Sequence, residues 1–163
     1  MEGLSISSVW KVLNWLPPII LKRIFTKKRM GDLVLVDVRP RYDYATVNLG
    51  KVASFDLWLQ MINLSPFNIE LDRAELKFWC GGIIQKSSIL KKYSLNSGQT
   101  LELYFSENIS DDQATQIAQN LDNHQAAIEL EIEFNCKLHN FSKSTGHLEG
   151  VRPRFINQDY RKA

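Results

Sequence analysis

Three histidines, two cysteines and a few closely spaced carboxylates are the side chains whose types can do chemistry in this sequence. His124, His139 and His147 are scattered, and neither Cys80 nor Cys136 has a CxxC partner, so no metal-ligand spacing is present. Acid–base catalysis needs two carboxylates tuned apart by their surroundings. Asp111 and Asp112 instead suit the positive end of a helix, and Glu129, Glu131 and Glu133 form an even row that reads as a solvated strand face or a docking stripe for a basic partner. There is no Gly-rich phosphate loop and no nucleophile elbow. Gly81-Gly82 reads as a tight hairpin turn. The cysteines fall in apolar, alternating runs and read as buried free thiols, with a disulfide between strands as the alternative. The sequence therefore assigns no catalytic residue, no metal, no cofactor and no small-molecule substrate, and the expectation is a protein that is not an enzyme.

Trp58, Trp79 and Tyr104 alternate with core positions, which makes them half-exposed sheet aromatics or an aromatic patch for a partner. Basic residues mix with aromatics in the C-terminal RPRF and YRKA. With a net charge of +2 this argues for no specific nucleic acid.

The charge is unevenly spread. Residues 1–29 carry Lys11, Lys22, Arg23, Lys27, Lys28 and Arg29 against Glu2 alone. The same segment is apolar and aromatic, with Val9, Val12, Leu13, Leu16, Ile20 and Ile24 at helical spacing, and Pro17-Pro18 is expected to break or kink it near Leu16. A basic, apolar arm of this kind points to an anionic membrane surface. Trp10, Trp15, Leu16, Ile20 and Ile24 are the expected buried anchor residues. Lys22, Arg23, Lys27, Lys28 and Arg29 are the expected phospholipid contacts. Two other readings stand beside this one: a true span, for which Leu4 to Leu21 barely has the length and Lys11 is costly, and a helix docked on this domain or on a partner protein. If the segment spans, the basic cluster stays on the cytoplasmic side, and a cytoplasmic location also suits unpaired cysteines.

The elements behind the arm read as β. Ser54 to Met61 alternates, with Phe55, Leu57, Leu59 and Met61 on one face. Asn63 to Pro66 ends that strand, and alternation resumes at Phe67, Ile69 and Leu71, then Leu76, Phe78 and Cys80. Before it, Val34, Val36 and Val38 form the core side of an edge strand ending at Pro40, and Tyr42 to Gly50 reads as a connection. After it, Ile83 to Leu90 returns from the Gly-Gly hairpin, Leu95 to Gly98 turns, and TLELYF at 100–105 alternates. Residues 110–121 change period to one short helix capped by Ser110. Ala126 to Leu138 is the clearest strand, with Ile128, Leu130, Ile132, Phe134 and Cys136 inward. Asn140 to Leu148 is a candidate edge element, residues 26–31 read as a hinge, and residues 150–163 as a loose polar tail. Several short alternating strands with turns between them argue for a sandwich.

The run from Ser54 to Gly82 carries a resemblance. A strand, the corner Asn63-Leu64-Ser65-Pro66-Phe67, a second strand and a Gly turn resemble the late embryogenesis abundant group 2 proteins, which carry the water stress and hypersensitive response (WHy) domain. The Asn and the Phe match that family's corner, and the proline is displaced. The likeness covers about residues 33–148. It implies an immunoglobulin-like or fibronectin type III-like sandwich, no catalysis, frequent tethering near membranes, and a binding, scaffolding or stress-protective role.

The expectation is then a mainly β protein: an immunoglobulin-like or fibronectin type III-like antiparallel sandwich at 32–149 with one inserted helix, an N-terminal amphipathic anchor at 1–31, and a tail at 150–163. It would act as an adaptor or scaffold on the cytoplasmic face of a membrane. The alternative is a structural subunit that docks its N-terminal helix on a partner protein.

Overall fold

A computed structural model describes residues 15–37, 44–121 and 126–161. Among these residues the chain is mainly β, an open mixed sheet with three short α-helices. The strands are β1 (Val34–Asp37), β2 (Tyr44–Asn48), β3 (Ser54–Asn63), β4 (Ile69–Cys80), β5 (Ile83–Ile89), β6 (Tyr93–Leu95), β7 (Thr100–Asn108), β8 (Ala126–Cys136), β9 (Asn140–Ser144) and β10 (Leu148–Ile156). The helices are α1 (Pro18–Ile24), α2 (Lys27–Asp32) and α3 (Asp111–Gln119).

β3 is the hub of one half of the sheet. Residues 54–62 pair with β7, so β1 (opposite 60–63) and β2 (opposite 54–56) must share its other edge. β4 and β8 form the other half: β5 and β6 follow one another along β4, and β9 and the start of β10 along β8. β10 links the halves. It leaves β8 through a register shift between Glu149 and Val151, where Gly150 takes φ +93°, and then runs parallel to β2. A left-handed residue inside a bulge is a position that glycine fills without strain.

Alternation builds the core as expected. Phe55, Leu57, Leu59 and Met61 of β3 are buried, as are Ile128, Leu130, Ile132 and Phe134 of β8. On β4 the buried positions change parity, from Ile69 and Leu71 to Ala74, Leu76 and Phe78, and the ladder slips at Leu71/Arg73. One extra residue restores the inward face, which is what a bulge does. The rings of Phe55 and Phe78 meet with centroids 5.3 Å apart. At the hairpin, Gly81 and Gly82 both have positive φ (58° and 80°), as a two-residue turn matched to strand twist requires.

The structure differs from expectation in several places. Tyr44–Asn48 is a strand rather than part of a connection; among its described side chains the small Ala45 and Val47 are the buried ones, which is little periodic signal. Tyr93–Leu95 is also a strand, too short for alternation to register. Residues 150–156 continue β10, and a 3-10 turn follows at Gln158–Arg161, where a loose tail was expected. Arg152, Pro153 and Arg154 disguise that strand as polar chain. Because β10 reaches β2 by crossing over, the sheet is mixed and not purely antiparallel. Finally, residues 27–31 of the expected hinge are helical, as part of α2: Thr26 Oγ1 accepts from Arg29 N–H and buried Met30 pins the turn.

Candidate surface-binding site on the N-terminal arm

Pro17 and Pro18 begin a helix instead of breaking one. Pro17 is the N-cap of α1 and Pro18 its first residue, where the missing N–H costs nothing and the fixed φ already suits a helix. Residues 1–14, Trp10 among them, lie outside the described residues. No helix among the described residues is long and apolar enough to cross a membrane.

The corner holds the arm in place. Asn63, fully buried, donates from Nδ2 to the carbonyls of Phe67 (2.8 Å) and Leu95 (3.1 Å), and its Oδ1 accepts from Ser65 N–H (3.0 Å) and Ser65 Oγ (2.6 Å). That network presents Phe67, against which the ring of Phe25 stands edge-on at 5.1 Å. Leu21 and Phe25 are buried, and Leu16 and Ile24 pack half-buried against the core. The helix-docked reading thus holds for this face of α1.

The opposite face is open. Trp15 is 89% exposed, Ile19 72% and Ile20 44%. Lys22, Arg23, Lys27, Lys28 and Arg29 are all exposed, and residues 15–31 contain no acid. Arg29 folds back, its guanidinium 5.9 Å from the Phe25 ring centroid and Nη1 donating to Ile24 O at 3.3 Å. Of the expected anchor residues, the structure therefore gathers Trp15, Ile20 and the cations on the surface and turns Leu16 and Ile24 towards the core. Ile19 was missed because the helical stripe was phased through the prolines; restarting the helix at Pro18 brings Ile19 out. Beside α2 lies an open cleft of about 470 Å³ between Lys27, Lys28, Asp72, Glu133 and Ser142. Its acids, with Lys92 Nζ 2.9 Å from Asp72, give it mixed charge.

The remaining chemical side chains stay apart. His139 keeps Nε2 buried without a hydrogen-bond partner, His147 stands edge-on to Trp79 at 5.0 Å, and His124 lies outside the described residues. Among the described residues no group of three His, Cys, Asp or Glu side chains is placed to hold a metal. Both cysteines are free thiols, and burial pushes the Cys80 thiol up to about 12, which leaves it inert as a nucleophile at neutral pH. Two members of the acidic row face cations across the sheet, with Lys77 Nζ 3.4 Å from Glu129 and Arg73 in register with Glu133, while Glu131 stands opposite Glu75. Asp111 starts α3 and pairs with Arg161 at 2.7 Å, while Ser110 and Gln113 form a capping box. Trp58 and Tyr104 stack at 4.5 Å on the outer side of β3 and β7, and the Tyr104 hydroxyl donates to Asp56, which raises the tyrosine above its ordinary range.

No family model and no curated protein matches this chain. Solved structures do. The structural-genomics target SoR45 aligns over 74% of this chain and 88% of its own, with 8% identity and a TM-score of 0.51. A candidate ApaA protein from Bordetella pertussis aligns over 74% and 91%, with 11% identity and a TM-score of 0.45. A candidate late embryogenesis abundant protein aligns over 98% and 95%, with 12% identity and a TM-score of 0.39. At 8% identity the SoR45 likeness concerns fold alone.

Proposed function

We propose that this protein is a non-catalytic module that lays its N-terminal arm on an anionic membrane surface and presents the β domain there as an adaptor or scaffold. The observation that carries the reading is the divided arm: one face of α1 held by the core, and on the other Trp15, Ile19 and Ile20 exposed beside five exposed cations. Apolar side chains enter the headgroup boundary while cations meet phosphate. Two free thiols suit the reducing, cytoplasmic side. We also infer an immunoglobulin-like or fibronectin type III-like sandwich. In support, β1/β2, β3 and β7 adjoin in one half, β5/β6, β4, β8 and β9 in the other, and β2 takes β10 in parallel. The Asn63-to-Phe67 corner supports kinship with the late embryogenesis abundant group 2 proteins and, with it, a stress-protective role.

Vesicle flotation tests the arm. The full chain should float with phosphatidylglycerol-containing vesicles and not with phosphatidylcholine alone. At about 1 kcal/mol per surface cation, changing Lys22, Arg23, Lys27 and Lys28 together to Glu should lower partitioning by more than a hundredfold. Trp15→Ser with Ile19→Ser should weaken binding without abolishing it. A wild-type chain that stays in the soluble fraction, or a four-Glu variant that floats as well as wild type, would refute the reading.

A further inference from the structure

We propose that the cleft beside α2 binds the phosphoethanolamine headgroup of a membrane lipid. This rests on the surface-binding reading above and adds to it a headgroup of defined chemistry. The cleft encloses about 470 Å³. One wall is α2, which brings Lys27 and Lys28. The other is the β8–β9 hairpin, which brings Glu133, Asn135, Asn140 and Ser142, with Asp72 of β4 beside it. α2 is held firmly against the sheet. Its Met30 is fully buried, and a Cβ added to Gly31 would stand 3.0 Å from Ser142 O, an approach that glycine allows.

Among the described residues, Lys27, Lys28 and Glu133 form no ion pair. Arg73 stands opposite Glu133 in the β4–β8 register and pairs with Glu75 instead, while Asp72 holds Lys92 Nζ at 2.9 Å. Two cations and a carboxylate therefore line a common space without neutralising one another. A zwitterion satisfies both walls at once: phosphate oxygens meet the two lysine ammoniums, and an ammonium meets Glu133. The cleft also selects which ammonium. A primary ammonium carries three N–H donors, and Glu133 with the side-chain oxygens of Asn135, Asn140 and Ser142 supplies acceptors for them. A quaternary ammonium has no donor and is held by the faces of aromatic rings. The two rings of the cleft do not serve that purpose, because Phe134 and Phe141 stack on each other with centroids 5.1 Å apart and are only 1% and 5% exposed. Ethanolamine is thus favoured over choline. Lys27 and Lys28 belong both to the cleft and to the basic surface of the arm, so the headgroup comes from the leaflet on which the arm lies.

Flotation of the full chain on vesicles with a constant phosphatidylglycerol fraction tests this. Replacing the remaining phosphatidylcholine by phosphatidylethanolamine should raise partitioning about threefold, the worth of one exposed ion pair. Glu133→Gln should remove that gain. Glu131→Gln, which takes an equal charge from the same strand outside the cleft, should keep it. In parallel, titrating the full chain with glycerophosphoethanolamine should shift the amide resonances of Asn135, Asn140 and Ser142, and glycerophosphocholine at the same concentration should shift them far less. Equal partitioning on both vesicle types, a gain that the two Gln variants affect alike, or equal shifts from both soluble headgroups would overturn the proposal and leave the arm's binding to phosphatidylglycerol untouched. A chain that floats with neither vesicle yet responds to glycerophosphoethanolamine would refute the arm, and with it the lipid as the source of the headgroup.

Discussion

Replacing Asn63 with alanine should be among the most damaging single substitutions in this protein. The side chain is fully buried and takes part in four hydrogen bonds. Removing it does not orphan every partner: Ser65 Oγ can turn its one hydrogen to Phe67 O, 3.0 Å away. The Ser65 N–H, however, loses its acceptor in a buried corner, and Leu95 O loses a donor. An unsatisfied buried donor costs about 1–3 kcal/mol, and the other lost bonds contribute about 1 kcal/mol each. The sum is about 3–5 kcal/mol. Urea denaturation followed by tryptophan fluorescence reads this directly. With a slope of about 2 kcal/mol per molar, the midpoint should fall by about 1.5–2.5 M with the slope unchanged. Asn63→Asp keeps the acceptor, loses the donor and sets a carboxylate against two carbonyls, so it should cost at least as much at pH 7. Ser65→Ala leaves all of the Asn63 main-chain bonds and should cost about 1 kcal/mol. If Asn63→Ala costs less than 1 kcal/mol, the corner is not the joint that this hydrogen-bond network makes it.

Arg161, 8% exposed, donates to Leu49 O (2.9 Å), Gly50 O (3.2 Å) and Asp111 Oδ1 (2.7 Å). Arg161→Ala should cost about 2–4 kcal/mol in the same assay, while Asp111→Ala, at an 83% exposed carboxylate, should cost under about 1 kcal/mol. The Cys80 thiol rises from 9.0 to about 12 on burial. The unfolded chain thus loses that proton first, and the stability this thiol contributes is complete below pH 9 and falls between pH 9 and 12, by at most about 1.4 kcal/mol per unit; Cys80→Ala should flatten that part of the stability–pH curve. A thiol reagent at pH 8 should modify half-buried Cys136 in native protein and Cys80 only after unfolding. Ser110→Ala removes the α3 capping box and should lower stability by about 1 kcal/mol.

The sequence exposed those elements whose pattern is local. β3 and β8 alternate over nine residues or more, β4 and β7 over shorter runs, Gly81-Gly82 marks its own hairpin, and Ser110 with Gln113 caps α3. Each states its own structure in side-chain period or backbone freedom. β2 and β10 do not. Their strand character comes from pairing with each other across more than a hundred residues, and neither Ala45 and Val47 nor Val151 and Phe155 make a strong period alone. The Pro17-Pro18 pair was ambiguous for a different reason. Proline breaks a helix that is already running and starts one that is not, and what decides between them here is burial of Leu21 and Phe25 against the folded domain. The same tertiary contact redistributed the candidate site: Leu16 and Ile24 went to the core, and Ile19 took a place on the surface.

That redistribution sets the balance of forces in the proposed surface binding. An amphipathic segment free of the domain would commit Leu16, Leu21, Ile24 and Phe25 to lipid along with its other apolar residues. Here those four are spent on the core, and Trp15, Ile19 and Ile20 remain. Full burial of such side chains is worth about 1.5–3 kcal/mol each, and shallow insertion at a headgroup boundary realises only part of that. Five cations at about 1 kcal/mol each supply a comparable share. A single weak apolar signal holds a protein on a bilayer only marginally, and a second, basic signal makes the attachment stable. Because Phe67 of the corner receives Phe25 of the arm, the network that closes the β domain also decides which apolar side chains are left for a surface. The arm is therefore part of the fold on one face, and on the other it carries the exposed side chains on which the proposed surface binding rests.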